Sequence, residues 1–139
     1  MMSEIYKMKN KEEKEYKKVV HAVESGDNKA KTRLAWYKLT GCGGAEIDKE
    51  GAVVLLEERV KDKDTEAMWM LGLCYEYGMG CEQNIEQAEK LYEQCCDNRN
   101  VIGKFLYENG KEERGSGVMN VHESLEYVMI IYKKHYNNK

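Results

Sequence analysis

Residues 66–96 read EAMWMLGLCYEYGMGCEQNIEQAEKLYEQCC, and the same pattern occurs in the segments before and after them. Five residues recur 37 positions earlier: Ala67, Leu71, Gly72, Gly78 and Gly80 match Ala30, Leu34, Ala35, Gly41 and Gly43. Two more recur 36 positions earlier: Ala88 and Tyr92 match Ala52 and Leu56. A degenerate third copy contains Gly103, Tyr107, Gly115, Gly117, Asn120, Ser124 and Val128. A period of 36–37 residues, with small residues at fixed points, is typical of a repeat array.

Each repeat divides into two helices. In the middle copy, apolar spacing predicts a first helix from about Thr65 to Tyr77, which Gly78 ends. A second helix follows the GMG turn and begins near Asn84, a favoured N-cap residue. Asp48 is the expected cap of the equivalent helix one copy earlier, and Asn120 one copy later. The predicted units therefore span about residues 27–63, 64–98 and 99–136.

An additional helix precedes the repeats. Its apolar stripe contains Tyr16, Val19 and Val23, and residues 25–27 read SGD, a stop signal for a helix. We expect residues 1–26 to form an N-terminal segment whose helix caps the stack. The repeat domain is expected to occupy residues 27–139. The 139-residue chain contains no proline, which agrees with a mostly helical protein.

Composition excludes several classes of protein. The 22 basic and 25 acidic residues give a net charge of −3, which argues against a nucleic-acid partner. No apolar run is long enough to cross a bilayer, and the N-terminus has no secretory h-region. The five cysteines are odd in number and lack zinc-ligand spacing, so we expect free thiols, no metal site and a cytoplasmic location.

The middle copy carries a family signature. The string A-x₃-L-G-x₂-Y-x₂-G-x-G runs from Ala67 to Gly80 and resembles the Sel1-like repeat, a relative of the tetratricopeptide repeats. The resemblance extends over residues 27–136. It implies an all-α, right-handed α/α superhelix that is not an enzyme and serves as an adaptor or scaffold for protein complexes.

In such solenoids the first helices line a concave groove, and six residues are candidates for partner binding there. Trp69, Leu73 and Tyr77 lie at i, i+4 and i+8 on the predicted middle first helix, opposite its core stripe. Trp36 and Phe105 occupy aligned positions in the neighbouring units, and Arg33 flanks them. Aromatic side chains are favoured anchors at interfaces. The competing interpretation is that these aromatic residues fill gaps between units.

The C-terminal helix offers an alternative binding site. Ile130, Ile131 and Tyr132 surround Met129 and give this helix more apolar surface than one stripe requires. A self-associating or regulatory subunit would use this end of the solenoid instead of the groove. The partner is in either case a protein or peptide, or a second copy of the chain.

No motif predicts catalysis or a cofactor. None of the three histidines is placed beside a cysteine and an orienting carboxylate, as a nucleophilic site requires. Cys81, in the GMGC turn, is the best placed thiol, and it is interpreted as an inert loop residue. Residues 111–117 contain glycines but lack the Lys-Ser/Thr that a phosphate-binding loop requires.

Overall fold

The structure, a computed structural model, describes residues 2–113, and side chains from residue 3 to residue 108. All the regular elements within residues 2–113 are helices, with a short 3-10 turn at Cys42–Gly44. The helices are α1 (Met2–Glu24), α2 (Ala30–Thr40), α3 (Lys49–Lys61), α4 (Thr65–Tyr77), α5 (Ile85–Asp97) and α6 (Val101–Glu113). The predicted all-α solenoid is confirmed.

The helix ends of the middle unit are those that the sequence predicts. Helix α4 spans Thr65–Tyr77 and ends at Gly78, which adopts the left-handed conformation with φ 67°. The Asn84 side chain accepts a hydrogen bond from the Gln87 amide at 3.1 Å and begins α5. Asp48 caps α3 in the same way through the amide of Gly51. These local predictions are confirmed.

A backbone hydrogen bond recurs in the loop of each complete unit. The Asn84 amide donates to the carbonyl of Tyr75 at 2.8 Å, and the equivalent Asp48 amide donates to Lys38 at 2.9 Å. Each cap amide thus donates a hydrogen bond to the last turn of the preceding first helix. The bond fixes the angle at which the second helix returns along the first.

Small residues allow the two helices of a unit to approach closely. A Cβ atom on Gly72 of α4 would clash with the ring of Tyr92 on α5. In the preceding unit the equivalent pair is Ala35 and Leu56, and both are fully buried in the same core cluster. In each unit a small residue on the first helix faces a larger residue on the second. The summed side-chain volume of the pair is therefore nearly the same in the two units.

Helix α1 occupies the place of a preceding second helix. A Cβ on Gly80 would clash with the backbone of Lys49, at the start of α3. A Cβ on the equivalent Gly43 would lie 2.8 Å from the carbonyl oxygen of Glu12 and from Cβ of Tyr16, both in α1. From Glu12 onward, α1 therefore contacts the repeat as a second helix does, and residues 2–11 extend it by about three further turns.

The predicted second helix of the third unit lies outside the described residues. This applies to the Asn120 cap and to the apolar surface around Met129. The boundaries of the N-terminal segment and of the three units stay predictions.

We expect Gly72→Ala to reduce the free energy of unfolding by about 1–3 kcal/mol, because the methyl group would overpack against Tyr92. In the Gly72→Ala background, Tyr92→Leu should cost less than it costs in the wild type, since the pair then matches Ala35 and Leu56. Urea unfolding of the four proteins in this double-mutant cycle measures the coupling. Additive effects of the two substitutions would contradict the proposed volume matching.

Candidate partner-binding surface

The front face of α4, which bears Trp69, Leu73 and Tyr77, is largely covered. Trp69 is 0% exposed and Leu73 is 1% exposed, whereas Tyr77 is half-buried at the C-terminal end of the helix. Every residue from Ala67 to Cys74 is buried, so α4 is enclosed around its whole circumference. A helix of this kind is apolar on all sides because it lies in the centre of the packing.

Two of the predicted anchors contact each other across units. The Trp36 ring of α2 packs edge-on against Trp69 of α4, with ring centroids 5.7 Å apart and an interplanar angle of 68°. Trp36 is 5% exposed, and the Trp69 indole N–H donates to the Glu66 carboxylate at 3.0 Å. Phe105 of α6 is half-buried and packs against the same core cluster. In the described residues these aromatic side chains fill space between neighbouring units.

Arg33 belongs to a different part of the surface. Its side chain is exposed and hydrogen-bonded to Tyr37, whose pKa is raised mainly by burial and lowered in part by Arg33. Tyr37 packs on Tyr16 of α1, with ring centroids 5.2 Å apart, in an apolar cluster separate from that of Trp36 and Trp69. Arg33 therefore marks the junction of α1 and α2.

The six candidates thus divide into three groups. Trp36, Trp69 and Leu73 form a buried floor, Tyr77 and Phe105 are half-buried beside it, and Arg33 is exposed at another junction. Because Trp36, Trp69 and Leu73 are at most 5% exposed, a partner can reach them only if neighbouring groups move. A role of these residues in partner binding stays a prediction.

The structure contains a cluster of polar contacts around Asp64, a polar clamp between units, that the sequence did not predict. Asp64 caps α4 through the amides of Glu66 and Ala67 at 3.0 and 3.3 Å. Its other oxygen accepts a 2.7 Å hydrogen bond from the Thr32 hydroxyl of α2 and lies 3.5 Å from Nε of Arg59 in α3. One carboxylate thus joins both helices of the first unit to the start of the second.

The clamp recurs one unit later with different chemistry. Asn100 caps the start of α6 through the amide of Gly103 at 3.0 Å, and its Nδ2 donates to the Glu66 carboxylate at 2.6 Å. Cys95 occupies the position equivalent to Arg59, and its thiol donates to the Thr65 carbonyl at 3.2 Å. The available signal was the recurrence of Asp27, Asp64 and Asn100 at the repeat period.

Burial controls the chemistry of the thiols. It raises the pKa of Cys74 to about 12, and it also raises the pKa of Cys95, to which the nearby Glu66 and Asp64 charges add. The pKa of the Cys81 thiol is raised as well, first by burial and then by the charge of Glu57. A thiol with a raised pKa carries little thiolate at neutral pH and is a poor nucleophile.

Among the side chains that the structure describes, residues 3–108, no group of three His, Cys, Asp or Glu converges as a metal site would require. None of the helices within residues 2–113 is long and apolar enough to cross a bilayer.

Comparison with known proteins agrees with the helix geometry. The Sel1 repeat family matches residues 65–100, which comprise α4, the glycine turn, α5 and the Asn100 cap. Residues 65–100 of this chain therefore match one Sel1 repeat. None of the curated proteins matches its sequence significantly.

Solved structures with the same fold include two Sel1-type proteins. A Sel1 repeat protein from Oxalobacter formigenes superimposes with a TM-score of 0.60 at 22% identity, covering 75% of this chain and 42% of that one. A protective antigen of uropathogenic Escherichia coli with an SLR fold gives a TM-score of 0.59 at 20% identity, covering 81% and 24%. The chain thus spans less than half the length of either structure. Sel1-like repeat folds generally serve as protein–protein interaction modules.

We expect Asp64→Ala to cost about 2–4 kcal/mol of unfolding free energy, because it removes a helix cap and one counter-charge of the buried Arg59. Asp62→Ala is the matched control, since Asp62 also pairs with Arg59 but is 64% exposed, and it should cost less than about 1 kcal/mol. Urea unfolding measures both values. Equal losses in the two variants would contradict the clamp.

The raised pKa of Cys74 predicts how stability depends on pH. Well below pH 9 the thiol is protonated in the folded and unfolded states, and its contribution is constant. Between pH 9 and about 12 only the unfolded thiol ionises, so the free energy of unfolding should fall by up to about 1.4 kcal/mol per pH unit. Urea unfolding at pH 8 and 10.5 should show a smaller fall for Cys74→Ala than for the wild type. Identical falls would contradict the assignment.

Proposed function

We propose that this Sel1-like repeat protein is an adaptor that binds an extended segment or a helix of a partner protein on the front face of its first helices. The front face consists of the Trp36, Trp69 and Leu73 floor with Tyr77 and Phe105 beside it. The proposal includes a cytoplasmic location and no catalytic activity.

The observation that carries the proposal is the aromatic floor. Trp36 and Trp69 belong to successive first helices and meet edge-on, so that they form one buried apolar floor across two units. Trp and Tyr side chains bury a large area and lose little conformational entropy, which is why interface hot spots are enriched in them. Tyr77 lies two turns from Trp69 on the same helix and is half-buried, at a point where a partner can make its first contact.

Thiol chemistry supports the absence of catalysis. Cys81 is the best placed candidate nucleophile, and burial and Glu57 both raise its pKa. His21 is exposed on α1, in a helix that packs on α2 and on the 3-10 turn. It lies far along the chain from Cys81, and none of the described contacts connects the two residues.

The test is capture of partner from an extract of the source cells with immobilised protein. Tyr77→Arg should retain less than about a tenth of the captured partner, because a charged side chain replaces an interface aromatic. Val54→Arg is the matched control, since Val54 is 60% exposed on α3 and lies away from the front face. Circular dichroism must show equal helicity in all three proteins.

A partner retained by Tyr77→Arg would overturn the groove proposal and favour binding through the apolar C-terminal helix. Equal loss with Val54→Arg would mean that the charge change, and not the surface, weakens binding. Should Tyr77→Arg lose helicity, Tyr77→Gln is the milder substitution to be judged by the same criterion.

A further inference from the structure

The first turns of α1 project beyond the repeats. Residues 3–11 are all exposed, whereas Glu12 is partly buried and its carbonyl lies beside Gly43 in the 3-10 turn. The projecting turns nevertheless carry large apolar side chains, since Ile5 is 59% exposed and Met8 is 63% exposed. A helix with apolar residues on one face is typical of a surface that packs against another element.

This apolar pair continues the face by which α1 packs on the repeats. Ile5, Glu12 and Val19 follow one another at intervals of seven residues, and Met8 lies one turn after Ile5 on the same face. Val19 is buried in the apolar cluster that α1 shares with α2. In heptad notation Ile5 is an a position and Met8 is a d position, the two positions that form the seam between paired helices.

The length of the projecting part fits an antiparallel pair with a second copy of the chain. When Ile5 of one copy lies opposite Met8 of the other, residue 2 lies opposite residue 11, so the overlap covers residues 2–11 of each copy. The contact with the repeats begins at Glu12, and the two repeat domains then lie at opposite ends of the pair. In a parallel pair both repeat domains would compete for the same space, because each packs on the seam face of its own α1.

The flanking charges are complementary in the same register. Glu4 and Lys11 both occupy g positions, which flank the seam on one side, and in the antiparallel direction Glu4 of each copy lies beside Lys11 of the other. The two-fold symmetry forms this ion pair twice. On the other side of the seam Lys9 lies opposite residue 2, which has an uncharged side chain.

We propose that residues 2–11 of α1 form an antiparallel two-helix contact with the same residues of a second copy. Two helical segments of about 15 Å bury less than the roughly 1,200 Å² of a stable complex, so the association is weak. The dimer carries two front faces and, if the proposed function is correct, gains avidity for a partner with two binding segments. Two alternatives are outcomes of the test: solvated turns without an occupant, and a second copy bound through another surface.

Sedimentation equilibrium of the full-length chain measures the association. The mass should rise from monomer toward dimer between about 1 µM and 1 mM. Ile5→Asp together with Met8→Asp should raise the dissociation constant at least about tenfold, because the seam would then bury charges. The matched control is Ser3→Asp with Asn10→Asp, which adds the same two charges on the opposite face of the same turns and should change the constant less than about twofold.

Charge exchange tests the direction of the pair. Glu4→Lys and Lys11→Glu should each weaken the association, because like charges then meet in both contacts. An equimolar mixture of the two variants should associate again, since each altered side chain then faces one of opposite charge. Repair within one chain is not possible, because residues 4 and 11 lie about 10 Å apart along α1.

A chain that stays monomeric at about 1 mM would overturn the proposal and indicate solvated turns. Association that survives Ile5→Asp with Met8→Asp would also overturn it, because the interface would then lie elsewhere. A mixture of the charge variants that does not associate would rule out the antiparallel pair.

Circular dichroism of the aspartate variant should show no greater loss of helix than residues 2–11 account for. With a greater loss, Ile5→Gln together with Met8→Gln replaces it under the same criteria. No other protein enters these measurements, so their result is independent of whether the adaptor function is correct.

Discussion

The close approach of α4 and α5 is the constraint on which the packing of the described residues depends. Gly72 presents only backbone to the ring of Tyr92, and this contact brings α5 against the most buried helix of the protein. The helices α3, α5, α6 and α2 pack on α4, and α1 packs on α2. A side chain at position 72 would displace α5, whose C-terminal end holds Cys95 against the start of α4. Polar clamps at Asp64 and Asn100 then connect one unit to the next.

Local structure was predictable from the sequence because its causes are local. The bounds of α4, its glycine stop and the caps at Asp48 and Asn84 depend on residues within one turn of each helix end. The repeat period added the pairing of helices, since equivalent residues must occupy equivalent places. Gly72 and Tyr92 replace the equivalent pair Ala35 and Leu56, and the replacement is explained by their contact. The smaller residue at position 72 makes room for the larger ring at position 92.

Tertiary partners were less predictable. Periodicity places Trp69 and Leu73 on one face of α4 but does not show whether that face is exposed or buried. A partner-binding groove and packing between units would therefore produce the same sequence pattern. Arg59 resembles an ordinary solvated cation at a helix end, and only its contact with Asp64 across the unit boundary explains why it is 7% exposed. In both cases the deciding contact comes from residues distant in the sequence.

The most apolar face of the described helices, formed by Trp36, Trp69 and Leu73, is buried. An exposed aromatic groove of this size would favour non-specific association. Burial raises the pKa of the Cys74 and Cys95 thiols, which makes both of them poor nucleophiles at neutral pH.

The most direct test of the central claim, that α4 is enclosed on all sides, is native-state hydrogen exchange of the wild-type chain at increasing urea concentration. Amides in the middle of α4 should exchange only through global unfolding, with a free energy and a urea dependence equal to those of the whole protein. Amides of residues 2–11, which extend beyond the repeats, should exchange with far lower free energies. Exchange of the α4 amides through a local opening that is insensitive to urea would contradict the account.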